Sequence, residues 1–193
     1  MMYSTQSKSH PAVQSTVCFA GSRRGRIPIE KCAQVVEYFS KLRFRFLVGC
    51  APGIDHCFRQ ALSDVVPTKC WTVHCAFPGK ARSLTRDGLP AVCRVPDAPS
   101  AAAALHRRTV TMVSACSLLV LFPDDPATGT WGKGSQLAFN TAVQQHKPVF
   151  VITNIPPVET AQIYVAAAAL FGLFSGFWVV PLGVPVREEV YNA

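Results

Sequence analysis

Short apolar runs rich in β-branched and aromatic residues alternate along the chain with segments whose apolar positions recur every three or four residues. VCFA (17–20), FRFLVG (44–49), KCWTVHCAF (69–77), SLLVLFP (117–123) and PVFVIT (148–153) read as strands. Pro28 fits the first turn of a helix that runs on through IEKCAQVVEYFSKL. CFRQALSDV, the long AAAALHRRTVTMVSA opened by Ser100, and SQLAFNTAVQQH read as further helices. Residues 78–98, rich in Gly, Pro and Arg, read as an irregular excursion with a short strand at VCRV. A helix over 159–170 and a last strand near 177–180 complete the pattern. SLLVLF and PVFVI are nearly continuous apolar runs, as strands are when both faces are covered. The alternation predicts an α/β fold: a Rossmann-like, doubly wound, mostly parallel sheet in a single domain. The expected boundaries are a polar, flexible tail over 1–15 and one domain over 16–193, with its core at 17–153 and a C-terminal helix and strand at 159–181.

Composition narrows the setting. Of 193 residues, 49% are hydrophobic and 16% charged, which excludes an unfolded chain. The net charge of +8 favours an anionic partner. Basic residues are scattered, with dense clusters only at Arg23/Arg24/Arg26 and Arg107/Arg108. The eight cysteines include no C-x-x-C pair, so no metal site is expected and the thiols read as reduced and incidental. The first fifteen residues carry no apolar signal core, and the expectation is a cytoplasmic protein. Gln162–Val186 has no charged residue and is long enough to cross a bilayer. Its Gly, Ser and Pro punctuation favours a buried helix followed by a buried strand, so a membrane partner is not expected.

Open parallel sheets bind ligands at the carboxyl ends of their strands, and three glycine-bearing loops leave such ends here. The first is Gly21-Ser22-Arg23-Arg24-Gly25, whose glycines permit close approach and whose Ser22 hydroxyl and Arg23 and Arg24 forks suit phosphate oxygens. It matches neither G-x-G-x-x-G nor a P-loop. The second, Gly49-Cys50-Ala51-Pro52-Gly53-Ile54-Asp55, opens a helix with Asp55 in its first turn. Asp55 suits either a cap or a ribose hydroxyl, and the amides after Gly53 suit an anion. The third, Thr128-Gly129-Thr130-Trp131-Gly132-Lys133-Gly134-Ser135, sets two threonine hydroxyls and a lysine before a helix and reads as a phosphate cradle. Trp131 suits stacking on a base or packing on the sheet. On the long helix, His106, Arg107 and Arg108 are consecutive and cannot all face one way, so Arg107 or Arg108 is expected to reach the anion.

FAGSRRG, GCAPGID, HRRTVTMVSACSLLVLF and LVLFPDDPATGTWGKGSQLAFNTAVQQHKPVFVI together resemble the SLOG superfamily. That group includes the DNA-processing protein DprA (Smf), the lonely-guy phosphoribohydrolases and the cpYpsA-like nucleotide-binding proteins. The likeness is strongest on the DprA side and covers residues 17–153. It implies a Rossmann-like domain that binds a nucleotide, a nucleotide-derived small molecule or single-stranded nucleic acid, requires no cofactor, and pairs with itself as a homo-oligomer. The apolar segment 163–186 is the candidate subunit contact. Lonely-guy enzymes carry P-G-G-x-G-T-x-x-E, whereas Gly129-Thr130 here is followed by no glutamate in that turn. The remaining candidates for a catalytic carboxylate are Asp55, Asp124 and Asp125. Three functions are therefore carried forward: a nucleotide-binding sensor or sequestering module, a nucleotide N-glycosidase, and a DprA-like binder of single strands.

Overall fold

Apolar strands flanked by amphipathic helices give a single sheet. The computed structural model describes residues 15–184 apart from 96, 126, 129, 159 and 161. Of the expected features, the tail before Ser15 and Gly129 lie outside the described residues. The strands are β1 (Thr16–Gly21), β2 (Arg45–Gly49), β3 (Trp71–His74), β4 (Ala91–Val92), β5 (Leu118–Phe122), β6 (Val149–Val151), β7 (Ile163–Leu170) and β8 (Phe174–Pro181). The helices are α1 (Ile29–Lys41), α2 (Ile54–Val65), α3 (Pro78–Arg86), α4 (Ala101–Ser114) and α5 (Lys133–Gln144). Strand order is β4-β3-β2-β1-β5-β6-β8-β7. β4 through β6 run parallel, and β8 and β7 close the sheet as an antiparallel hairpin.

The helices form because each has one apolar face to bury. In α1, Cys32, Val35, Val36 and Phe39 share a face, and in α2 so do Ile54, Cys57, Phe58, Ala61 and Leu62. These two helices cover one side of the sheet, where Phe19 stacks between Phe46 and Phe58, with ring centroids 6.0 and 4.0 Å away. Burying each such ring contributes about 2–3 kcal/mol. α4 and α5 cover the other side through Met112, Val113, Ala138 and Ala142. Ser100 caps α4 by accepting the Ala103 amide at 3.2 Å.

Two segments differ from the reading of the sequence. Residues 78–86 are helical, with Pro78 at the first turn and Ala81 and Leu84 buried on one face. The expected helix at 159–170 is instead strand β7 over Ile163–Leu170. Alanine's helix preference is a weak prior, and eight register pairs with β8 override it. The turn that allows this has positive φ at Phe171 and Gly172, and the Leu173 amide donates to the Leu170 carbonyl. The hairpin then packs back on α1, with Phe171 against Tyr38 and Phe39. Among the described residues, no helix is long and apolar enough to cross a membrane.

Candidate functional site

The chain leaves β1 toward β2, β3 and β4 on one side, then crosses by α4 to β5 on the other. The sheet's topological switch point therefore lies between the carboxyl ends of β1 and β5, where such folds open a crevice. A cavity of about 760 Å³ sits there. Its rim is Ser22, Arg23 and Arg24 after β1, His106 and Arg108 on α4, Asp124 after β5, and Gly132 to Ser135 at the start of α5. Its wall is Ala102, Leu105, Met112, Leu137 and Ala138.

The first loop presents side chains rather than amides. Arg24 and Gly25 donate their amides to Ser22 Oγ at 3.0 and 3.2 Å, which closes the turn on itself. Arg23 and Arg24 are exposed beside the cavity.

The second loop is built inward. The Ile54 amide donates to the Ser22 carbonyl, and the His56 and Cys57 amides donate to the Gly53 carbonyl, so these three are committed within the protein. Gly53 has φ 78°, and a Cβ there would lie 2.3 Å from the Ser22 carbonyl oxygen. Asp55 turns back from α2, accepting the Ala51 amide at 3.2 Å and Arg108 Nη1 at 3.3 Å. This buried ion pair presses on Gly49, where a Cβ would lie 1.8 Å from Arg108 Nη1 and 2.0 Å from Asp55 Oδ2. Arg59 supports it from below by donating to the Gly49 and Ala51 carbonyls at 2.6 and 2.9 Å. Burial pushes the Asp55 carboxyl above its usual range, against the opposing pull of Arg108, the Ala51 amide and Arg59. His74, level with Gly49 in the sheet, is buried and held neutral, its imidazole pushed down to about 4 by burial and then by Arg94 and Arg108.

The third loop divides. Thr128 donates to Asp125 Oδ2 at 2.7 Å, and its hydroxyl lies 2.8 Å from that of Thr130. The Thr128 hydroxyl and the Ala127 amide hold the Asp125 carboxyl below its usual range. Asp125, Thr128 and Thr130 all lie outside the cavity lining. Trp131 packs edge-on against Phe139 of α5 at 5.0 Å. The part that reaches the cavity is the helix start. Gln136 donates to the Gly132 carbonyl, so the amides of Lys133, Gly134 and Ser135 precede the ladder of α5, and no side chain caps them.

Of the expected site residues, Gly21, Ser22, Arg23, Arg24, Asp55, Arg108, Asp124 and Lys133 come together around one cavity. Gly53 lies behind Ser22 as a spacer, and the two threonines face each other. Arg107 points away and donates to the Asp97 carbonyl. Arg59 escaped the sequence reading, and Gly49 entered it only as the start of the second loop, because the need for both arises from the buried Asp55–Arg108 pair.

No family model matches the chain, and no curated protein matches it. Solved structures do, two DNA-processing proteins among them. DNA processing protein A from Helicobacter pylori, whose single-stranded DNA binding mode that structure describes, superposes with a TM-score of 0.54 at 15% identity, covering 76% of this chain and 67% of that one. DprA from Streptococcus pneumoniae gives 0.54 at 16% identity, covering 77% of this chain and 52% of that one. This chain thus spans about half the length of the second protein. What this chain shares with the two DprA proteins is the fold, a mostly parallel, Rossmann-like α/β sheet.

Proposed function

We propose that the cavity binds a nucleotide or nucleotide-derived anion and that the domain acts as a binding module. The observation that carries this reading is the meeting, at the switch point, of three exposed cations with the uncommitted amides of α5. Arg23, Arg24 and Lys133 supply charge, and the helix start supplies donors aimed at phosphate oxygens. The wall of Leu105, Met112 and Leu137 gives a base or sugar face an apolar surface. The volume of about 760 Å³ lies in the range of small-ligand pockets. Asp55 is committed to Arg108 and Ala51, which suits a structural carboxylate better than a proton donor to a glycosidic bond.

A second reading has its own support. The Helicobacter pylori neighbour binds single-stranded DNA, and a net charge of +8 suits a polyanion. One experiment separates the readings: thermal shift with nucleoside monophosphates, ADP-ribose, inorganic phosphate and oligothymidylate at low and high salt, with free base measured in the same samples. The binding-module reading expects stabilisation by a mononucleotide, weak salt dependence and no release of base. Stabilisation by oligothymidylate alone, steeply lost with salt, supports the second reading. Release of base would make the domain a glycosidase.

A further inference from the structure

Three neighbouring strands end on the same residue type. Cys50 follows β2, Cys75 follows β3 and Cys93 follows β4. Gly49 pairs with His74 and His74 with Val92 at the ends of the two ladders, so the cysteines stand in a row one position further on. The Cys75 amide donates to the Val92 carbonyl at 2.8 Å, which carries the pairing into the row. Cys75 belongs to the buried core cluster that α1 and α2 share, and Cys50 and Cys93 pack half-buried against that cluster. Adjacent strands run about 4.8 Å apart, inside the Cα separation of roughly 4.4–6.8 Å that a disulfide spans. Among the described residues, no group of three His, Cys, Asp or Glu side chains is arranged to hold a metal ion, which leaves thiol chemistry.

The two central sulfurs are not equivalent. A hydrogen bond from the Cys75 thiol, helped by the Ala76 backbone and Arg108, outweighs burial and holds the Cys50 thiol down at about 6. The same hydrogen bond, with burial, pushes the Cys75 thiol up. Cys50 is also the half-buried member of the pair and Cys75 the buried one, so Cys50 is the sulfur that a soluble disulfide reaches.

We propose that Cys50 and Cys75 form a reversible dithiol–disulfide site, with Cys50 the attacking sulfur and a small-molecule disulfide such as oxidised glutathione the oxidant. The Cys50 thiolate attacks one glutathione sulfur, forming a mixed disulfide and expelling the other glutathione as thiolate. Cys75 then gives up its proton and attacks the Cys50 sulfur, and the second glutathione leaves as the sulfur–sulfur bond forms. Two protein thiols are oxidised, one glutathione disulfide is reduced to two thiols, and the Cys75 proton goes to a leaving thiolate. Cys50 lies between Gly49 and Ala51, the residues that anchor Arg59 and Asp55, so drawing it toward Cys75 shifts the floor of the cavity. Weaker nucleotide binding by the oxidised form is a consequence that rests on the function proposed above, whereas the disulfide itself does not.

The test is a peptide map of the full chain after equilibration in glutathione buffers of rising oxidised fraction. Free thiols are alkylated, and tandem mass spectrometry resolves which sulfurs are joined, since tryptic peptide 46–59 also holds Cys57 and peptide 70–80 also holds Cys70. The expected result is loss of two of the eight alkylatable thiols, a Cys50–Cys75 bond, and full reversal by reduced glutathione. Cys50→Ser abolishes the bond and Cys93→Ser leaves it intact. A bond between other cysteines, or a Cys50 glutathione adduct that Cys75 never resolves, overturns the proposal. The wild-type map decides the matter even where a Cys75 variant fails to fold.

Discussion

The turns after β2 and after β5 look alike in sequence, both rich in glycine and both opening a helix, yet they are built in opposite senses. After β2, glycine makes room for the protein itself. Gly49 gives its missing side chain to Arg108 and Asp55, and Gly53 lets α2 start against the Ser22 carbonyl. After β5, the hydroxyls close on Asp125 at the surface, and what reaches the cavity is Asp124 and the helix start at Gly132 and Lys133. One turn is a buried polar frame, and the other ends in an open rim. A glycine-rich turn is therefore not in itself a ligand cradle. What decides is whether its amides are already spent.

Substitutions in the first turn should cost stability. The largest effect is expected for Gly49→Val, which drives a side chain into the buried ion pair. A loss of about 4 kcal/mol or more should appear in urea denaturation. Next comes Arg108→Met, which strands a buried carboxylate and should cost about 3 kcal/mol, with part recovered when Asp55→Leu is added. A recovery of nothing would break the claim that the two side chains act as a pair.

His74 sharpens the same side of the comparison through pH. The folded protein keeps its imidazole neutral down to about 4, while the unfolded chain takes up a proton near 6.5. Across that window the unfolded state binds more protons, so His74 makes the fold less stable as pH falls, by up to about 3 kcal/mol. Asp55, whose carboxyl is raised in the fold, works in the opposite direction. Comparing wild type with His74→Gln from pH 7 to pH 4 isolates the histidine, and the variant should lose stability less steeply. The smallest effects belong to the second turn. Thr128→Ala and Thr130→Ala should each change stability by less than about 0.5 kcal/mol, since their hydroxyls lie at the surface.

Much of this was legible in the residues. The apolar runs pointed to five of the six parallel strands, with the short strand read at VCRV meeting the sixth, β4, only at Val92, and the loop positions pointed to one edge of the sheet, because strand–helix alternation has a single common solution. The Ala-rich stretch before Phe171 misled, since its strand pairing depends on a β8 that lies later in the chain and on a Phe-Gly turn lacking the usual Asn-Gly signal. Within the site, Arg23, Arg24 and Lys133 were visible as exposed cations near glycine. The pairing of Asp55 with Arg108 was not, because the two are joined across 53 positions of chain, and only the packed sheet brings them together.

The central claim is that the rim formed by the β1 loop and the start of α5 receives a phosphate-bearing ligand. Calorimetric titration of the nucleotide giving the largest thermal shift tests it most directly, in wild type, Lys133→Ala and Thr130→Ala. Lys133→Ala is expected to weaken binding by about tenfold or more while Thr130→Ala binds as wild type does. Unchanged affinity in the Lys133 variant, or a loss confined to the Thr130 variant, would contradict it.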